Sequence, residues 1–449
     1  MYTSRRDFIR AALSLGTMTA AGGLGRLSML NAMTQPTGQY RALVCVFLYG
    51  GNDSNNLVVP TDTQGYGAYQ QIRAGLALDA STLIPFDGNQ RFGLHPRFTD
   101  LKPFFGEVAL VANVGTLVQS ITRDQYVQNA AALPNNLFSH ADQQGEMQTT
   151  APSGQSATGW AGRLADQMES MNTGSYPLLV SVAGNALFGV GANTHPASVT
   201  PGVTPGLRGF GSDAASQARL AALKTLVNQD SLSTDSGAVL LKQAGDNMNR
   251  SLTNADTLNQ ALQGASPLKT VFPDSSIGAQ LSQVAQLIQV RQALNMNRQI
   301  FFCSLGGFDT HTAQLADQDK LFSELSPALA AFYQATEELT IADQVTTFTE
   351  SDFSRTLQPN SNGGTDHAWG SHHIVMGASV KGAKMYGQFP TLQLSGPDDA
   401  GGEGRWIPTT AVDQYCATLA QWFGLPASSL PAVFPNIGNF KSTDVGFFG

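Results

Sequence analysis

Residues 42–49, Ala-Leu-Val-Cys-Val-Phe-Leu-Tyr, form an unbroken apolar run that stops at Gly50-Gly51. A run of that length without alternation predicts a central strand covered on both faces. Further strand-like runs stand at 108–115, 176–182, 299–305 and 346–350, with a shorter one at 374–376. Helical spacing separates them, including a stretch that starts near Gly159 and a long one from Gln314 to about 339. Residues 212–298 differ in pattern. Leu220, Leu223 and Leu226, then Ile277, Leu281, Val284, Leu287 and Val290, recur at helical intervals, and the segment holds no histidine. This predicts a helical insertion or subdomain packed on the sheet. Strands alternating with helices make the chain an α/β protein, with residues 39–449 as its folded domain.

The first 38 residues follow another logic. Arg5-Arg6 precede a weakly apolar stretch, residues 11–30, rich in Ala and Gly and then followed by polar residues. That order describes a twin-arginine export signal, with the twin-arginine translocase as a transient partner and the periplasm or the exterior as destination. Gly22, Gly23, Gly25 and Arg26 interrupt the stretch, so it is not expected to be a stable membrane span.

Composition narrows the class. Of 449 residues, 42% are hydrophobic and only 13% charged, which is globular rather than disordered. The net charge is −8 and no Lys/Arg cluster follows the first residues, so no nucleic-acid partner is expected. Cys45, Cys303 and Cys416 sit in apolar runs and read as small buried hydrophobes rather than a disulfide framework.

The chemistry gathers at strand ends. The first strand ends in Gly50-Gly51-Asn52-Asp53-Ser54, and the fourth in Gly306-Gly307-Phe308-Asp309-Thr310-His311. A glycine-flanked segment, Gly363-Gly364-Thr365-Asp366-His367 through His372-His373, leads into the run at 374–376. In open α/β sheets that edge is where ligands bind. Carboxylate and imidazole together suit a divalent transition metal such as zinc, as one or two ions. The candidate ligands are Asp53, Asp309, His311, Asp366, His367, His372 and His373. Capping a turn is the competing role for Asp53. Ser139 stands where a helix opens at the same edge and is the candidate nucleophile, with helix capping as its alternative. Arg355 has the fork that holds a phosphate or sulfate oxygen, with a surface ion pair as its alternative.

The segments 47–60 (FLYGGNDSNNLVVP), 306–311 (GGFDTH) and 349–377, with TES, FSRT and GGTDHAWGSHH, resemble the twin-arginine-exported bacterial proteins grouped as domain of unknown function 1501. The likeness runs from about residue 41 to 440. That group in turn resembles the alkaline phosphatase and sulfatase superfamily, and the resemblance implies a mixed, mostly parallel sheet flanked by helices. It places Asp53-Ser54 at the end of the first strand. Asp309 with His311, Asp366-His367-Ala368, and His372 or His373 stand where that superfamily carries metal ligands. The implied activity is metal-dependent hydrolysis of a phosphate or sulfate ester, small or polymer-borne, by an activated serine or water. A non-catalytic envelope protein with a degenerate site is the alternative. No Cys/Ser-x-Pro/Ala-x-Arg signature is present, which disfavours a formylglycine-type sulfatase.

Overall fold

The computed structural model describes residues 39–86, 88, 91–152, 156–207, 209–211, 213–231 and 239–449. The twin-arginine segment lies outside the described residues.

The main sheet contains β1 (Arg41–Tyr49), β5 (Val108–Gly115), β6 (Leu179–Ser181), β7 (Ala197–Ser198), β8 (Arg298–Gly306), β9 (Val345–Ser351), β10 (Ser371–Met376), β11 (Lys384–Tyr386) and β12 (Thr410–Ala411). A small antiparallel sheet is formed by β2 (Val58–Pro60), β3 (Ile84–Pro85) and β4 (Phe92–Leu94). The order across the main sheet is β11-β5-β10-β9-β1-β8-β6-β7, with β12 beside β5. Only β10 runs against its neighbours, so the sheet is mixed and mostly parallel, as expected. The strand read at 176–182 is shorter, and the one read at 374–376 begins earlier, at Ser371.

Helices flank the sheet: α1 (Thr63–Arg73), α2 (His140–Thr149), α3 (Trp160–Met168), α4 (Ala214–Ser231), α5 (Val239–Gln263), α6 (Ser276–Gln289), α7 (Gln314–Glu338) and α8 (Val412–Phe423). The segment 212–298 is helical in its described part, but it is not one unit. Helices α4 and α5 pack on each other as a hairpin, whereas α6 packs on α7 and β8. Its periodic residues Ile277, Leu281, Val284 and Leu287 are fully buried, which the hydrophobic effect favours by about 1.5–3 kcal/mol for each such side chain. Cys45, Cys303 and Cys416 are free and buried.

Register decides what reaches the functional edge. Strand β1 is central, with Tyr49 opposite Gly306 of β8 and Leu48 opposite Ser351 of β9. The three strands therefore end side by side and release Gly50, Gly307 and Asp352 at one edge. Because β10 runs antiparallel, its amino end, preceded by residues 363–370, arrives at that same edge. Gly50 has φ +111, and a Cβ there would come within 2.5 Å of the Asp309 nitrogen. Only glycine allows the β1 turn to lie this close to the Asp309 turn.

Candidate metal centre

Three histidines and one aspartate converge at that edge. The ligand atoms of His140, Asp309 and His367 all lie within 4.8 Å of one another and could hold a metal ion. His311 joins them, with its Nε2 3.1 Å from Asp309 Oδ1 and 3.0 Å from His367 Nε2. His140 Nε2 lies 3.3 Å and His367 Nε2 3.6 Å from the same Oδ1.

Each imidazole is oriented through its other nitrogen. His367 Nδ1 lies 2.7 Å from the Phe138 carbonyl oxygen, which can only accept, so Nδ1 carries the proton. His140 Nδ1 lies 2.7 Å from the Asp352 carboxylate. His311 Nδ1 lies 3.1 Å from the Asp366 carboxylate. A ring that carries its single proton on Nδ1 points an Nε2 lone pair at the shared space, the tautomer that a metal ligand needs. Two lone pairs 3.0 Å apart repel unless a proton or a cation lies between them. His140 Nε2 is buried and makes no hydrogen bond. Ligands about 2.0–2.1 Å from an ion would stand about 3.3 Å apart in a tetrahedron, and the three Nε2 atoms lie 3.1–3.6 Å from Asp309 Oδ1.

Charge fits the same reading. Asp309, Asp352 and Asp366 face one guanidinium, Arg355, leaving two negative charges that one divalent ion would balance. Burial raises the Asp309 carboxyl, but the hydrogen bond and charge of Arg355, with His140 and His311, hold it below the usual range. The hydrogen bond from His140 to Asp352 raises His140 against the opposing effect of burial. Burial lowers His367, and the neighbouring His140, Arg355 and His311 charges add to this.

The supporting frame is local. Residues 352–357 are buried and laced to 366–369. Ala368 N donates to Ser354 O at 2.9 Å, Thr356 N to Asp366 O at 2.9 Å, and Arg355 bridges to His367. Helix α2 presents His140 and Gln144 one turn apart, and both contact Asp352 Oδ2 at 2.7 Å. Gly50 N also donates to the Asp352 carboxylate, at 3.2 Å. Asp352 therefore ties the β1 turn, the end of β9 and α2 together. Phe138 adopts φ +72 to aim its carbonyl, and the Arg405 guanidinium covers its ring at 5.0 Å.

Of the candidate ligands, Asp309, His311 and His367 reach the cluster, and Asp366 supports it through His311. Asp53 does not reach it. It is buried, pairs with Arg73, accepts from Gln314 and accepts from Asn55 N at 3.0 Å as the cap of the turn Ser54–Leu57. Its carboxylate is fully engaged, and it links to the site's frame through Gln314, which accepts from Thr365, and through Arg73, which donates to Thr356 O at 2.9 Å. The turn-capping alternative describes it.

His372 and His373 are also not brought there. Both lie buried in β10, where adjacent residues point to opposite faces. His372 stacks on Phe389 and accepts from Asn113 N at 2.9 Å, whereas His373 stacks on Tyr415. Burial lowers both to about 3, so they are neutral core residues. Ser139 donates to Asp142 at 2.6 Å. Arg355 is neither a surface residue nor free for a substrate. It donates to the carbonyls of Gly50, Gly51 and Thr365 and to Asp309.

His140 and Asp352 were missing from the candidate ligands and their supports. Asp352 directly follows the β9 run, so the strand-end rule that marked Asp309 could have found it. His140 directly follows Ser139 at the helix start placed at this edge, but no strand end or glycine pair marks it as a ligand.

Among the described residues no helix is long and apolar enough to cross a membrane. The model of the family described as "Protein of unknown function (DUF1501)" matches residues 40–399. No curated protein matches the chain. Solved structures similar to it include a sulfatase from Pseudoalteromonas sp., 11% identical with TM-score 0.33, covering 91% of this chain and 72% of that one. Another is the phosphonate monoester hydrolase of Agrobacterium radiobacter, 10% identical with TM-score 0.32, covering 86% and 74%. A third is a lipoteichoic acid synthase from Listeria monocytogenes, 7% identical with TM-score 0.36, covering 89% and 76%.

Proposed function

The chain belongs to the DUF1501 family, and we propose that it is an exported, metal-dependent hydrolase of phosphate or sulfate esters with a mononuclear transition-metal centre. The observation that carries this is the approach of the His140, His311 and His367 Nε2 atoms to Asp309 Oδ1, each imidazole contacted from behind by an acceptor. Zinc suits a set of three nitrogens and one carboxylate oxygen. One ion rather than two is proposed because Arg73 already neutralises Asp53.

When bound, such an ion supplies Lewis acidity toward an ester oxygen and makes water more acidic. The protein residues do the rest. Asp352, Asp366 and the Phe138 carbonyl fix the tautomers of the three histidines. Arg355 offsets the charge of Asp309 and locks the turn that carries it. Asp309 and His311 are 51% and 42% exposed, so an ester can approach from that side. Water is the proposed nucleophile, since the Ser139 hydroxyl is committed to Asp142.

A second reading has one observation in its favour: four protein ligands can complete a tetrahedral shell, as in structural zinc sites. Metal analysis of the exported protein, with turnover of aryl phosphate mono- and diesters and aryl sulfates, separates the two. Bound metal with turnover that is lost in His140→Ala supports the hydrolase. Bound metal without turnover supports the structural site, and absence of metal removes both.

A further inference from the structure

Away from the metal centre, a cavity of about 860 Å³ runs between the edge strand β7 and helix α5. A second cavity of about 560 Å³ continues it toward the carboxyl end of β8. Ser198, Val199 and Thr200 line both, so the two adjoin along this edge. The far end of the second is lined by Gly306, three residues before Asp309. Consecutive Cα atoms are 3.8 Å apart, so that end comes within about 11 Å of the Asp309 backbone.

The lining is rich in uncharged hydrogen-bonding groups. Asn185, Asn193, Thr200, Thr204 and Asn254 face the groove, and among the described residues their side chains make no hydrogen bond within the protein. An apolar ligand would strip water from these groups without replacing its bonds, at a cost of about 1–3 kcal/mol for each group fully buried. Among the described residues, a highly charged ligand would find one Glu169 and one Arg250 as its only formally charged partners, apart from the titratable His195. An extended peptide would seek a free strand edge, but β7 is two residues long and sits between Pro196 and Pro201. A chain of neutral hydroxyls matches the lining best, because amide and hydroxyl side chains both donate and accept.

We propose that this groove binds a neutral oligosaccharide chain and presents a substituted sugar unit to the metal centre. The groove itself is independent of the metal; only the statement about the reacting end rests on the hydrolase reading.

Isothermal titration of the full exported protein with cellohexaose, xylohexaose and mannohexaose tests the groove, alongside an uncharged Ser/Thr-rich decapeptide. At least one hexasaccharide is expected to bind. Asn254→Trp in α5 and Thr204→Trp in the exposed loop should each weaken it by about tenfold or more, with thermal midpoint and metal content unchanged. Binding should persist in Asp309→Asn, whose metal site is broken, so loss of turnover there leaves the groove standing. No binding of any of the three at about 10 mM would overturn the proposal. So would binding that neither tryptophan weakens, or binding of the peptide in their place.

Discussion

Asp352→Asn is the substitution that most sharply separates a built metal site from a chance meeting of histidines. The wild-type carboxylate receives His140 Nδ1 and Gln144 Nε2 at 2.7 Å each and Gly50 N at 3.2 Å. Asparagine keeps one oxygen that can accept from His140, but it loses the charge that makes the ring a stronger donor to a cation. Its amide nitrogen also faces donors. Loss of an outer partner of this kind typically weakens a metal site by about 10–100-fold, or about 1.4–2.7 kcal/mol. Asp352→Ala also leaves the buried donors unpaired, adding about 1–3 kcal/mol of lost stability. The assay is competitive zinc titration against a chromophoric chelator, with the thermal midpoint followed in parallel. A folded Asp352→Asn protein that holds zinc within a factor of about two of wild type would refute the argument that Asp352 tunes His140.

Arg73→Met should destabilise the protein by about 3–5 kcal/mol, because it strands a buried Asp53 carboxylate; urea unfolding measures it, and metal stoichiometry should not change. Burial raises Glu350 and Asp413 to about 8 each, so between about pH 5 and 8 the native state holds protons that the unfolded chain has released. Stability is then fully present below the unfolded values and falls as pH rises, by about 1.4 kcal/mol per pH unit per proton; Glu350→Gln should flatten its share of that slope in denaturant titrations at stepped pH. Replacing both Arg5 and Arg6 by lysine should leave the protein unexported, which cell fractionation would detect; unaltered export would count against the signal.

Strands and their ends were legible in the sequence because a fully covered strand is written as an uninterrupted apolar run. Residues 42–49 and 108–115 gave their elements almost to the residue for that reason. The site was legible only where chemistry sits in the same short segment as its strand, as with Asp309, His311 and His367. What pairs a side chain with a distant partner left no local trace. Arg73, 20 residues after Asp53, converts a candidate ligand into a buried ion pair. The same strand-edge logic overreached at His372 and His373, since a strand residue can face the core as readily as the edge. The surface ion pair weighed for Arg355 failed for a similar reason: its donors are satisfied by carbonyls and Asp309 inside the fold, so burial could not be read from residue type.

Metal analysis of the exported protein together with X-ray absorption at the metal edge tests the central claim most directly. The account predicts about one equivalent of a transition metal per chain in a nitrogen- and oxygen-only shell with imidazole scattering. The ion should be lost in His140→Ala and retained in His372→Ala. Two ions per chain, no ion, or a His140→Ala protein that keeps its metal would contradict it.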